Sequence, residues 1–221
     1  MKKYPGFTLI ELVVAILISG FIAVALATIY STANRHIFQN YRGNTIKSDV
    51  SLGMRAIRNV MAQATRIDQP LSNTSGTRLL VASNVDQLTG CYPIGPGPAT
   101  WHLFCTVTSG SNIQLYYHTG VYPNTCACPG PVPPPCVQGN PAVSTICGSF
   151  GGTLLTQFLN TTSVFSRSST LGDIPANDSL SVRVRLHSVW LAANRGYGSV
   201  QRDVDYALDT TFSVSRPGGP F

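Results

Sequence analysis

Glu11 is the only glutamate in the chain, and it stands in a run where every other residue from Leu9 to Tyr30 is apolar, small or hydroxylic. If that run lies in lipid, the carboxylate is disfavoured by about 2.5–3.5 kcal/mol or more, so it marks a function and calls for a partner. The second set of residues with chemistry is Cys91, Cys105, Cys126, Cys128, Cys136 and Cys147. An even number of thiols suits disulfides, and six allow fifteen pairings, among which sequence does not choose. The alternative is a metal site. Cys126-x-Cys128 followed eight residues later by Cys136 lacks the paired C-x-x-C spacing of zinc motifs, and only His102 and His118 lie near in sequence, so disulfides and no metal are expected. His36 and His187 read as solvent-facing or interfacial. With no G-x-S-x-G, no H-E-x-x-H, no phosphate-binding glycine loop and only scattered aspartates besides Glu11, the expectation is no catalytic residue, no cofactor and no enzyme.

The element that must position Glu11 is a helix. From Leu9 to Tyr30 the run would span roughly 30 Å at about 1.5 Å per residue, the thickness of a bilayer's hydrocarbon core. Beyond Tyr30 the pattern changes face without breaking. Ile46, Val50, Met54, Ile57, Met61 and Ala64 recur at spacings of three and four, an amphipathic stripe that Ile67 extends and Asp68, Gln69 and Pro70 end. This predicts one helix from Phe7 to about Arg66, with Gly20, Gly43 and Gly53 as places for bending. Arg35, Arg42, Lys47, Arg55, Arg58 and Arg66 against Asp49 give its second half a basic character, read as a solvated face beside anionic lipid headgroups.

Past Pro70 the period falls to two. Arg78 to Ser83 is the first strand expected. Trp101 to Thr108 and Asn112 to His118 flank Ser109-Gly110-Ser111 as a hairpin. Thr153 to Leu159 fits a strand or a short helix, followed by Ser163 to Arg167. Leu180, Val182, Val184 and Leu186 alternate with Arg183, Arg185 and His187; Val204, Tyr206, Leu208, Phe212 and Val214 alternate with Asp203, Asp205 and Asp209. Paired antiparallel, these strands bring Arg183 and Arg185 to the face of Asp205 and Asp209, where cross-strand ion pairs form. Ala192 to Gln201 is then a surface loop. The stretch from Gly120 to Gly148 is too rich in proline and glycine to bury a core of its own, and crosslinks would let it hold one shape.

The start of the chain, Lys3-Tyr4-Pro5-Gly6-Phe7-Thr8-Leu9-Ile10-Glu11-Leu12, resembles the signal of type IV prepilins and type II secretion pseudopilins, unbroken from Gly6 to Val14. The resemblance implies that a membrane peptidase cuts between Gly6 and Phe7, that Phe7 becomes an N-methylated terminus, and that Glu11 is the family's acidic residue. It implies an α+β, pilin-like fold: a long N-terminal helix, membrane-spanning in its first half, on an antiparallel sheet head with a disulfide-rich insertion. The domains would be a leader at 1–6, a transmembrane or filament-core helix at 7–30, its amphipathic continuation at 31–69 and a β-rich head at 70–221 with an insertion at 119–150. The element order, with Arg55-x-x-Arg58-Asn59-Val60 on the helix, looks like the larger minor pilins and the J-type minor pseudopilins.

The same resemblance implies a structural subunit of a pilus or secretion pseudopilus that helps initiate or cap it. The expected partners are other pilin subunits, the prepilin peptidase and methyltransferase, an inner-membrane assembly platform and membrane lipid. It places the chain in a bacterial inner membrane, single-pass with its head in the periplasm, before export into the filament. After cleavage, the amine of Phe7 lies about one helical turn from Glu11, and two charges costly apart become tolerable together.

Other readings of the same residues compete with this one. A secretory signal peptide could be cut after Ala25-Leu26-Ala27, but the apolar run is long for one and a glutamate at its front is out of place. A plain single-pass anchor would leave Glu11 incidental. A competence-type pseudopilin would bind DNA through the basic helix and arginine strand; nucleic acid is the less favoured partner, because the formal charge of the 221-residue chain is only +6, and removing Lys2 and Lys3 lowers it by two. A membrane-anchored periplasmic binding protein or enzyme would need a polar cleft that no motif marks. Charged residues make up 11% of the chain, fitting an exported β-rich domain better than a cytosolic enzyme.

Overall fold

The computed structural model describes residues 8–71, 73–85, 93–121, 147–149, 151–167, 181–191 and 203–214. It is an α+β, type IV pilin-like arrangement: one long helix, α1 (Leu9–Met61), then nine strands in a single antiparallel sheet. At 53 residues α1 is about 80 Å long and runs unbroken through Gly20, Gly43 and Gly53. The predicted stripe is its buried face, with Ile46, Val50, Met54, Ile57 and Met61 all turned inward.

The helix stops at Met61, and the continuation expected through Arg66 is corrected to strand β1 (Ala64–Gln69). Ala64 and Ile67 are buried as the stripe required. They are buried from a strand, because register shifts between Ala64 and Arg66 and between Ile67 and Gln69 turn its burial period from two to three. A bulged strand directly after a helix therefore mimics one more helical turn.

The remaining strands are β2 (Thr74–Gly76), β3 (Arg78–Ser83), β4 (Thr100–Ser109), β5 (Asn112–Val121), β6 (Thr153–Leu159), β7 (Phe165–Arg167), β8 (Ser181–Trp190) and β9 (Val204–Ser213). Arg78–Ser83 is thus the third strand, not the first. β4 and β5 form the expected hairpin in continuous register from Thr100 opposite Val121 to Ser109 opposite Asn112. Thr153–Leu159 resolves as strand. Along one edge of the sheet the order is β1-β3-β4-β5-β6-β8; β9 covers the other edge of β8 over its whole length, while β6 and β7 share the first.

The helix crosses these strands. A Cβ on Gly43 would lie 3.7 Å from Val204 of β9, and one on Gly53 would lie 3.3 Å from Leu186 of β8 and 3.6 Å from Leu115 of β5. Gly53 is accordingly a point of close helix–sheet approach, where a side chain would press on the sheet. The main core gathers Val50, Ile57 and Met61 of α1 with Val81, Phe104, Leu115, Phe165 and Leu186. Alternation puts a smaller core of Leu80, Ala82, Trp101, Leu103 and Cys105 on the opposite face, with Tyr116 and Cys147 packed against it. Here Gly120 lies beneath the Trp101 ring, where a Cβ would meet the indole at 2.5 Å.

Candidate functional site

The helix start is built by its own sequence. Thr8 is the N-cap, extended at φ −79° and ψ 151°, and its hydroxyl accepts from the Glu11 amide at 3.4 Å. Glu11 reaches back: its Oε2 accepts from the Thr8 amide and from the Thr8 hydroxyl, each at 2.9 Å. Thr8-Leu9-Ile10-Glu11 is a reciprocal capping box, so the only glutamate satisfies two donors at the positive end of the helix dipole. The T-x-x-E spacing is the sequence signature of this cap, and Thr8 is the residue of the site that the charge argument for Glu11 does not reach. Gly6 and Phe7, on which leader cleavage and methylation were placed, lie outside the described residues.

Around this cap the helix has no protein neighbours among the described residues. Its most apolar 18-residue window has a mean hydropathy of 2.8 and none of it is buried. Leu9 is 83% and Phe21 77% exposed, in contrast to Ile57 at 0%. Ile10, Glu11, Val14, Ala15 and Ile18 line one open groove on this surface, and Tyr30, Asn34, Phe38 and Arg42 lie along another. Such a surface takes another helix or lipid; it does not enclose a substrate.

In the head, Cys105 of β4 is bonded to Cys147 across 42 residues of sequence. The bond ties the far end of the proline- and glycine-rich insertion to the smaller core. Beside it the Gly148 amide donates to Nε2 of His118, whose ring is buried and whose pKa burial holds below the usual imidazole value. Cys91, Cys126, Cys128 and Cys136 lie outside the described residues, as do 122–146 of the insertion, the 192–201 loop and Leu180. Among the described residues no group of three or more His, Cys, Asp or Glu side chains is placed to hold a metal.

The arginine strand pairs as its alternation predicted, with one change of partner. Arg183 grips Asp209 through two bonds, Nε to Oδ1 at 2.8 Å and Nη2 to Oδ2 at 2.6 Å, although Arg185 stands directly opposite Asp209. The hydrogen bonds from Arg183 hold the Asp209 carboxyl below its ordinary value. Asp205 lies 3.6 Å from His187 instead of an arginine. Both pairs sit at the surface, where such contacts stabilise little.

Residues 1–27 match the family model for the prokaryotic N-terminal methylation motif. The match covers the residues ahead of the helix, the Thr8–Glu11 cap and most of the apolar run, and it is consistent with the type IV prepilin and pseudopilin family. Comparison with curated proteins and with solved structures gives no match.

Proposed function

We propose that this chain, a pilin-like subunit with a membrane-anchoring helix start, is a minor pilin or pseudopilin. In this reading it is cut between Gly6 and Phe7, methylated on the new Phe7 nitrogen and drawn from the membrane into a short filament. One observation carries the reading: a helix half with no neighbours among the described residues, and within it a single carboxylate, Glu11, inside the stretch that matches the methylation motif. Cleavage turns the Phe7 amide into an ammonium one residue ahead of the Thr8 cap. Glu11, held by neutral donors in the precursor, then has a cation within one turn, on its own chain or on the next subunit. That pairing fixes the axial register of assembly.

The head supports a place at or near the filament tip, where the subunit helps initiate or cap. Its second face carries a loop insertion crosslinked at Cys105–Cys147, which would be awkward to repeat along a densely packed shaft. Glu11→Ala tests the register role: the variant is expected to be processed normally at Gly6 and to enter filaments at less than about a tenth of the wild-type level, the loss of a charge-assisted contact being worth about 1.5–3 kcal/mol. Normal incorporation overturns the role of Glu11. Immunogold labelling confined to filament ends fits the tip placement; labelling along whole shafts contradicts it.

A further inference from the structure

Three strands of the sheet are paired on one side only among the described residues: β1, β2 and β9. An open edge invites another strand, and proteins blunt such edges by shortness, bulges, prolines or lysines. β2 is three residues long, and β1 is interrupted by two register shifts. β9 has neither protection. It runs ten residues, Val204–Ser213, with no proline and no lysine, and its register with β8 is unbroken from end to end. The direction of its free backbone groups follows from bonds on the far side of β8. There the Arg185 amide donates to the Val164 carbonyl, and the His187 carbonyl accepts from the Asn160 amide, each at 2.9 Å. Peptide groups alternate sides along a strand, so the even-numbered residues of β8 bond to β9, where their partners include Tyr206, Leu208, Thr210 and Phe212. The amides and carbonyls of Asp205, Ala207, Asp209 and Thr211 therefore point away from β8, and all four residues are exposed.

We propose that this edge of β9 is a docking site for an extended segment of another protein, one that alternates apolar with basic residues. The two faces of β9 set that pattern. Towards the helix, Tyr206, Leu208 and Phe212 pack at the margin of the main core and are only half-buried. An added strand lays its apolar side chains beside them and covers what is left open. On the outer face, the Asp205 side chain is 75% exposed and lies 3.6 Å from His187, while Asp209 is already held by Arg183. Asp205 is thus the acid open to a lysine or arginine of the incoming strand, a cross-strand pair that stabilises. β8 has the same alternation in Val182-Arg183-Val184-Arg185-Leu186, and β9 accepts it along its inner side. A second copy of this chain fits poorly. Paired antiparallel edge to edge, it would add its own Asp205 and Asp209 to the same outer face, and like charges on neighbouring strands destabilise. Main-chain bonds supply the affinity of such an addition, and the alternate side chains supply its specificity.

The test follows hydrogen exchange at single amides of the full chain in non-ionic detergent micelles. In the isolated protein the Ala207, Asp209 and Thr211 amides are expected to exchange freely, and those of Tyr206, Leu208 and Thr210 to be protected. Protection of Ala207 and Thr211 at every concentration means that a segment of this chain, such as 215–221, fills the edge; protection that grows with concentration means that a second copy does. Either result overturns the proposal. The probe is a ten-residue peptide alternating valine with arginine and threonine. It should protect the Ala207, Asp209 and Thr211 amides, whereas the same peptide with glutamate for arginine should not; equal protection by both, or by neither, overturns the proposal. Asp205→Lys is expected to weaken peptide binding about threefold to tenfold, and an unchanged affinity contradicts the basic half of the pattern. Thr211→Pro removes an N–H that β8 does not use, so Tm should stay within about 3 °C while the peptide no longer protects Ala207. Binding that survives this change overturns the assigned edge.

Discussion

The two halves of α1 are one continuous helix with opposite surroundings. From Ile46 to Met61 a narrow apolar stripe is sealed against the sheet, while the flanks carry Lys47, Arg55 and Arg58 to solvent. From Leu9 to Tyr30, Glu11 apart, the helix is apolar on every side and has no neighbours among the described residues. A helix with one apolar stripe finds its partner within its own chain; one apolar on every side needs partners on every side, in lipid or in a bundle. The helical backbone is common to both, so the difference lies in where each half's free energy is realised. The second half stabilises the subunit, and the first stabilises whatever the subunit joins.

Truncation at matched positions separates the two most strongly. Ile57→Ala leaves a cavity in the main core and is expected to destabilise the head by about 2–5 kcal/mol, read as a lower Tm by circular dichroism in micelles. Ile22→Ala removes the same atoms from the exposed half and should leave that Tm unchanged. Equal effects would mean that the first half is packed within the subunit, and the comparison would fail.

The next largest effect belongs to the sheet's second face. Cys147→Ser opens the crosslink to Cys105, with an expected loss of about 2–4 kcal/mol and easier proteolysis between residues 122 and 146. An unchanged Tm would show that the smaller core holds the insertion without the bond.

The comparison also explains what could be read from the sequence. The amphipathic stripe and the β8–β9 ladder each bury one face only, so their periods are written plainly in Val50, Ile57, Leu186 and Leu208, while the β4–β5 hairpin, buried on both faces, was legible through its Ser109-Gly110-Ser111 turn. β3 is buried on both faces and was legible only as a short apolar run. β1 was misread because its bulges copy the helical period through Ala64 and Ile67. β2, three residues with no apolar side chain, owes its place to pairing with β7 and gives no local signal. At the site, Glu11 stood out through its cost in lipid. Thr8 did not, because a hydroxyl in an apolar run attracts no notice until its spacing to Glu11 is read as a cap. The diagonal choice of Arg183 for Asp209 depends on side-chain reach and lies beyond register arguments.

The smallest expected effect is titration of the buried imidazole. A histidine whose folded pKa is lowered stabilises the fold above its unfolded value of about 6.5, and that contribution is lost as pH falls through the lower folded value. Protonation of His118 also removes the Nε2 acceptor for Gly148. The head's Tm should fall by about 2–4 °C between pH 7 and pH 5, and His118→Gln should flatten part of this slope. His102, also lowered by burial, should account for the rest. No change of slope in His118→Gln would remove His118 from the account.

The central claim is that the exposed half of α1 is completed outside the subunit, after a cut that frees an amine near Glu11. Mass spectrometry of the N-terminal peptide of mature protein from its native host tests this most directly. The account predicts a chain that begins at Phe7 with one methyl group on its nitrogen; a chain that retains Met1, or begins after Ala27, contradicts it.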